Sequence, residues 1–190
     1  MGLKDNIHKR ETEKMSEKSF KMMTFTFKIV DFIFRYIGMR VKKFGIVEGM
    51  TVVDYGCGPG RYTVRFAKLV GQSGKVYAVD IHELAIKAVK SKMEKLKFGN
   101  IIPLLVTGYQ SDIPNNVADM VCAIDMFFII KEPTEFLKEL KRITKKEGIL
   151  IIDDGHQSRS ETKEKILNSK VWEIIEETRD HLKCRPRLNK

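Results

Sequence analysis

The sequence predicts an α/β fold: a doubly wound, seven-stranded mixed sheet, mostly parallel, with an antiparallel C-terminal hairpin strand and an N-terminal helical extension. Three observations predict it. Short apolar runs alternate with helical periodicity through five cycles between Thr51 and Asp153, which implies parallel strands joined by right-handed crossovers. The first run, in VVDYGCGPGRYT, turns on Gly56, Gly58 and Gly60 before helix-forming residues begin, the usual opening of a doubly wound domain. Near the end, VWEIIEET and HLKCRPRL are separated only by Arg179 and Asp180, a gap that permits an antiparallel hairpin and excludes a crossover.

Taken in order, residues 1–20 are polar and charged, and Met22 to Val41 is an apolar, Phe- and Ile-rich helix interrupted by Lys28, Asp31 and Arg35. Those three share one helical face and can pair along it, and charges so placed argue against a membrane span. Residues 1–45 are therefore read as a helical cap and 46–190 as the main domain. Thr51 begins the first strand, Arg61 to Val70 forms a helix stopped by Gly71, and Lys75 to Asp80 is the second strand. His82 to Lys97 carries Ile86, Val89, Met93 and Leu96 at helical spacing. Ile101 to Val106 and Ala118 to Ile124 are buried strands, the latter a near-continuous apolar run as expected where helices cover both faces. A helix from Thr134 to about Lys145 is expected to stop at Gly148, before a fifth strand from Ile149 to Asp153 and a helix from Ser158 to Ser169.

Composition excludes several classes of protein. A 190-residue chain with 43% hydrophobic and 32% charged residues suits one globular domain. Cys57, Cys122 and Cys184 lie far apart without a C-x-x-C spacing, which argues against a disulfide framework or a zinc site and for a reducing compartment. No metal is expected, and the charged N-terminus lacks signal-peptide features, so a cytoplasmic location is expected. Residues 1–45 hold 11 Lys/Arg against 5 Asp/Glu, and residues 181–190 hold 4 against none, which accounts for the whole net charge of +10. Such basic ends either remain solvated or meet an anionic surface.

The spacing of the first turn narrows its ligand. A dinucleotide loop reads G-x-G-x-x-G, whereas here it is G-x-G-x-G, with Arg61 at the position of the third dinucleotide glycine and Pro59 deleting an amide donor. The loop is poorly built for pyrophosphate. An acid, Asp54, followed by G-x-G-x-G resembles the first motif of the class I S-adenosylmethionine (SAM)-dependent methyltransferases, and the reversed terminal hairpin resembles theirs too. The resemblance covers roughly Lys43 to Pro186 and extends to the ubiquinone/menaquinone-biosynthesis-like, type 11 group. It implies a Rossmann-like sheet, SAM as cofactor, S-adenosylhomocysteine as product, and transfer of the sulfonium methyl without a metal.

Carried onto this chain, the resemblance places Asp54, Tyr55, Gly56, Cys57, Gly58 and Gly60 around the methionine end of SAM. Asp80, closing the strand VYAVD, is the acid expected to accept the ribose hydroxyls, with Ile81 beside it. The family's acid after the third strand is missing from GYQSDIP, so Gln110, Ser111 or a backbone group is left for the adenine contact, and Asp112 is read as a turn acid. Asp125 is expected to line the pocket, and Asp125 and His156 are the candidates for a base, if the acceptor needs one. His8 and His82 are read as exposed, and His181 as part of the hairpin. Cys57, between two glycines, is read as chosen for size. Phe25, Ile29, Phe32, Tyr36, Phe127 and Phe128 are the substrate-side candidates, Phe128 standing where relatives often carry a histidine.

These readings predict methylation of a small apolar molecule. The alternatives are an RNA or protein acceptor guided by the basic ends, and a SAM-binding or membrane-associated module without turnover.

Overall fold

In the computed structural model the described residues are 14–34 and 36–188, with backbone alone for 27–34, 36 and 37. The expected helix from Met22 to Val41 is represented among the described residues by α1 (Glu17–Phe34) and α2 (Tyr36–Lys42). There follow β1 (Thr51–Tyr55), α3 (Thr63–Val70), β2 (Lys75–Asp80), α4 (Glu83–Leu96), β3 (Ile101–Leu105) and β4 (Ala118–Ala123). A 3-10 turn (Phe127–Ile129) leads to α5 (Pro133–Ile143), β5 (Thr144–Ile152), α6 (Arg159–Asn168), β6 (Trp172–Glu177) and β7 (Leu182–Pro186).

The seven strands form one sheet in the order β3-β2-β1-β4-β5-β7-β6. β1 pairs in parallel with β2, Thr51 to Tyr55 against Lys75 to Val79, and with β4, Val52 to Asp54 against Met120 to Cys122. β7 runs antiparallel to β5 and to β6. The order reverses at β1/β4, so the loops leaving those two strands diverge and open a crevice, the usual ligand position in such sheets.

Alternation along the strands divides the core in two. Val53, Tyr55, Val79, Val121, Ala123, Leu150 and Ile152 meet Phe136, Leu137, Leu140 and Ile143 of α5 and Ile166 of α6. Val52, Val76, Ala78, Met120, Cys122 and Ile151 meet Phe66, Ala67 and Val70 of α3, Ile86 and Val89 of α4, and Val41 and Phe44 at the end of the N-terminal helices. Trp172, fully buried in β6, donates its indole N–H to the Leu137 carbonyl at 2.9 Å and so ties the hairpin to α5.

One expected boundary is corrected. Gly148 does not stop a helix, because β5 already starts at Thr144 and the β4–β5 register shifts between Ala118 and Met120. A Cβ on Gly148 would lie 2.6 Å from Thr144 Cγ2 and 2.8 Å from the Ala118 carbonyl oxygen, so the glycine serves close backbone approach at a bulge.

Candidate active site

The crevice at the strand tips is a cavity of about 750 Å³, within the range of about 300–1,000 Å³ usual for small-molecule sites. Its floor is the glycine loop. Gly56, Gly58 and Gly60 all have positive φ, 77°, 50° and 79°. A Cβ on Gly56 would meet Met126 Cγ at 2.8 Å, whereas one on Gly58 would meet no protein atom within 4 Å although Gly58 lines the cavity. Gly58 therefore leaves bare backbone facing open space, a cradle that any side chain would fill.

The loop's amides are already engaged. Gly56 and Cys57 donate to the Val79 carbonyl at 2.8 and 3.0 Å, Gly58 to Asp80 Oδ2 at 2.8 Å, and Gly60 to the Cys57 carbonyl at 2.9 Å. Pro59 has none to give. A pyrophosphate would find no donors among these residues, and the loop is rigid before any ligand arrives. Burial pushes the Cys57 thiol up, so it stays protonated, a small apolar filler.

Asp80 lines the cavity with one carboxylate oxygen taking the Gly58 N–H and the other the His82 N–H, each at 2.8 Å. Burial pushes its carboxyl up, and these amide donors pull it back. Each oxygen keeps a second lone pair free to accept, and two adjacent acceptors match the two O–H donors of a ribose diol. Ile81 lines the cavity beside it. His82, expected to be exposed, is 4% exposed: its Nδ1 accepts the Leu84 N–H at 3.2 Å and so caps α4. That assignment puts the proton of the neutral ring on Nε2, which is buried without a partner.

Asp54 lies behind the loop rather than on the cavity wall, 2% exposed, with Thr63 Oγ1 donating to it at 2.5 Å. Burial pushes its carboxyl up to about 7, against the pull of the Thr63 hydrogen bond. Tyr55 lines the cavity, and its hydroxyl donates to the Tyr109 carbonyl.

After β3 the expected adenine contacts are corrected. Gln110 is exposed, and Ser111 turns away to serve Glu139, donating its N–H and Oγ–H to Oε1 at 3.0 and 2.8 Å. Glu139 is 4% exposed and bound to Arg142 at 2.7 Å, so it takes the donors in reach. Neither Gln110 nor Ser111 bounds the cavity; Thr107, Gly108 and Tyr109 do. Asp112 is exposed.

After β4, Asp125 lines the cavity in a left-handed backbone conformation, φ 58°, which a non-glycine residue adopts only where its surroundings impose it. Its N–H donates to Asp153 Oδ1 at 2.9 Å. Phe127 is corrected from a substrate contact to a core residue, fully buried and stacked on Phe136 at 6.1 Å. Phe128 likewise misses the cavity and meets His156 edge to face at 4.8 Å, which leaves His156 exposed and off the cavity wall. Met126, Ile129 and Ile130 supply the apolar wall instead.

The N-terminal segment closes the remaining side with Lys14, Met15, Phe20 and Met23. Phe25 is 66% exposed and does not bound the cavity, because its position falls on the far side of α1 from Phe20. The side chains of Ile29, Phe32 and Tyr36 lie outside the described residues, as does His8. Two residues that sequence reasoning missed are Tyr62, which lines the cavity, and Arg40, which is 6% exposed and bonded to Tyr62, Asp125 and Asp153. Burial and Asp125 push the Asp153 carboxyl up while Arg40 pulls it down. With a guanidinium nitrogen 2.5 Å away, the ionised carboxylate is the form that this geometry supports.

Bare backbone at Gly58, a diol-ready carboxylate at Asp80 and an apolar far wall suit SAM. Among the described residues no group of His, Cys, Asp and Glu is arranged to hold a metal, and no helix is long and apolar enough to cross a membrane.

Comparison with known proteins agrees. Residues 46–183 match a family model described as a methyltransferase domain. The ubiquinone/menaquinone biosynthesis C-methyltransferase UbiE of Escherichia fergusonii is 28% identical over 109 residues, 57% of this chain and 43% of the relative, so the chain spans less than half the length of the curated relatives it matches. A SAM-dependent methyltransferase from Aquifex aeolicus superimposes with a TM-score of 0.77 at 26% identity, over 90% of this chain and 97% of that one. Coclaurine N-methyltransferase, solved with N-methylheliamine and S-adenosylhomocysteine, shares the fold at a TM-score of 0.56 and 20% identity, over 63% of this chain and 34% of that one. The chain belongs to the class I SAM-dependent methyltransferases, with SAM as its cofactor.

Proposed function

We propose that this methyltransferase passes the sulfonium methyl of SAM to a small, largely apolar acceptor seated beneath α1. The observation that carries the reading is the asymmetry of the cavity: polar at the glycine loop and Asp80, and apolar opposite, where Phe20, Met23, Met126 and Ile129 face it. In this reading Asp80 holds the ribose and Ile81 packs beside the adenine, whose amino group meets backbone between Thr107 and Tyr109. Asp54, from behind the loop, orients the loop toward the methionine end, and Asp125, on the wall, faces that end with its carboxylate. Residues 1–45 act as the cap and 46–190 as the cofactor-binding domain.

Bound SAM supplies an already activated methyl, which leaves the protein to align the acceptor and exclude water, effects worth several kcal/mol. Asp125 is the group that can take a proton from an acceptor, because its carboxylate is partly exposed on the cavity wall. The relatives' name, a C-methyltransferase of quinone biosynthesis, supports an aromatic carbon acceptor without fixing it. A second reading adds where the acceptor comes from. Met22 and Phe25, 68% and 66% exposed, share the outer face of α1 with exposed Lys18 and Lys21, a pattern suited to an anionic lipid surface that would deliver an apolar substrate.

The test is transfer of labelled methyl from SAM into three separate fractions: organic-soluble small molecules, RNA and protein. Label in the organic fraction supports the proposal. Label confined to RNA, with a steep loss of activity on adding salt, would replace it with the nucleic-acid alternative.

A further inference from the structure

We propose that Arg40, which precedes the matched methyltransferase domain, is a positioning residue of the methyl-transfer site: it fixes Tyr62 and Asp125 on the cavity wall by tying both to Asp153 and to the β6–β7 turn. Arg40 Nη1 donates to Tyr62 Oη at 2.8 Å and lies 3.4 Å from Asp125 Oδ1. Its Nη2 donates to Asp153 Oδ2 at 2.5 Å and to the Asp180 carbonyl at 2.8 Å. These partners sit in four separate connections, after β1, after β4, after β5 and between β6 and β7. One planar guanidinium holds all four, which the single charge of a lysine cannot do.

The arrangement explains the backbone of Asp125. Its left-handed conformation is unfavourable for a non-glycine residue and needs constraint from its surroundings. The constraint is the Asp153 carboxylate, one oxygen held by Arg40 and the other accepting the Asp125 N–H at 2.9 Å. Tyr62 Oη lies a further 3.4 Å from Asp125 Oδ2, and so closes the ring of contacts. Tyr62 and Asp125 line the cavity, whereas Arg40 and Asp153 stand behind them and reach a ligand only through them. Stability alone does not account for the ion pair, since a buried pair is often replaced by apolar residues without loss. Lys43, paired with the Asp180 carboxylate at 2.8 Å, already fastens the same segment to the same turn.

The inference rests on the placement of SAM over the glycine loop, and the experiment separates the two. Binding of S-adenosylhomocysteine to the full chain is measured by calorimetry, and thermal midpoints are recorded for each variant. The variants are Arg40→Lys, Arg40→Met, and Arg40→Met with Asp153→Asn, with Asp80→Ala as the control for the cofactor site. Arg40→Lys keeps the charge opposite Asp153, and the double variant leaves no buried charge unpaired, the Asp125 carboxylate being partly exposed, so both should retain a near-native midpoint. Each should nevertheless bind S-adenosylhomocysteine roughly tenfold or more weakly. A merely structural role would restore affinity together with the midpoint. Wild-type affinity in folded Arg40→Lys and in the double variant, while Asp80→Ala binds poorly, overturns the inference. Undiminished affinity in Asp80→Ala would instead overturn the cofactor placement. Should Arg40→Met alone not fold, the other two variants decide the question.

Discussion

The ring of Phe20 stacks on that of His82 at 4.5 Å with an interplanar angle of 30°, so the first helix rests on the residue that caps α4. Both rings line the cavity, so in the proposed arrangement the contact joins its acceptor side to its cofactor side. Phe20→Ala should loosen α1, raise the dissociation constant of S-adenosylhomocysteine several-fold, and speed amide exchange in residues 17–26 more than in the sheet. Exchange in that segment unchanged from wild type would show that the helix is held by other contacts.

Asp80→Ala should weaken S-adenosylhomocysteine by roughly 10- to 100-fold, because hydrogen bonds to a charged group are worth about 1.5–3 kcal/mol. Gly58→Val should do at least as much, for its side chain would project into cavity space from a residue with φ of 50°. Calorimetry on the folded variants is the check, and an unaltered constant for Asp80→Ala would remove Asp80 from the site.

Nicotinamide dinucleotides should not bind. With the Gly56, Cys57, Gly58 and Gly60 amides spent inside the protein, the loop has no cluster of donors for a pyrophosphate. Titration with NAD should give no heat of binding under conditions where S-adenosylhomocysteine does.

Asp54 should make the fold less stable as the pH rises. Its carboxyl is raised to about 7 in the folded chain, against about 4 when unfolded, so between those values the folded state holds the extra proton. Stability then falls with increasing pH across that window, by up to about 1.4 kcal/mol per unit, and levels off above it. Asp54→Asn keeps an acceptor for Thr63 and cannot ionise. Melting curves at pH 5 and pH 8 should show a smaller loss for Asp54→Asn than for wild type; equal losses would mean that Asp54 does not carry the effect.

If the outer face of α1 meets lipid, the protein should sediment with vesicles containing phosphatidylglycerol and not with phosphatidylcholine alone. Lys18→Ala with Lys21→Ala should weaken that binding through charge, and Phe25→Glu through lost apolar contact. Wild-type protein that ignores both kinds of vesicle would leave the face without this role.

The succession of strands and helices, the hairpin, the glycine loop and the place of Asp80 at a strand tip were legible because each depends on short spacings and on backbone needs that few residues meet. What was not legible depended on choices between neighbours. Helical periodicity shows that α1 has apolar residues on more than one side, but not that Phe20 and Met23, rather than Phe25, turn to the cavity. Ser111 was lost to Glu139, whose burial is a tertiary fact invisible at a distance of 28 positions. His82 was misread because a histidine seldom caps a helix, and Phe127 because a core ring and a pocket ring have the same composition. Arg40 lies 113 residues from Asp153 in sequence, and no local pattern announces that pairing.

The bond from Arg40 to the Asp180 carbonyl spans 140 positions. During synthesis the arginine leaves the ribosome well before the β6–β7 turn, the most distant of its partners in sequence. At about 5–20 residues per second that delay is on the order of ten seconds. Through it the glycine loop, Tyr62, Asp125 and Asp153 are already made while the bond that ties Arg40 to the β6–β7 turn is not, so on the proposed role of Arg40 full affinity for the cofactor waits until that turn has docked.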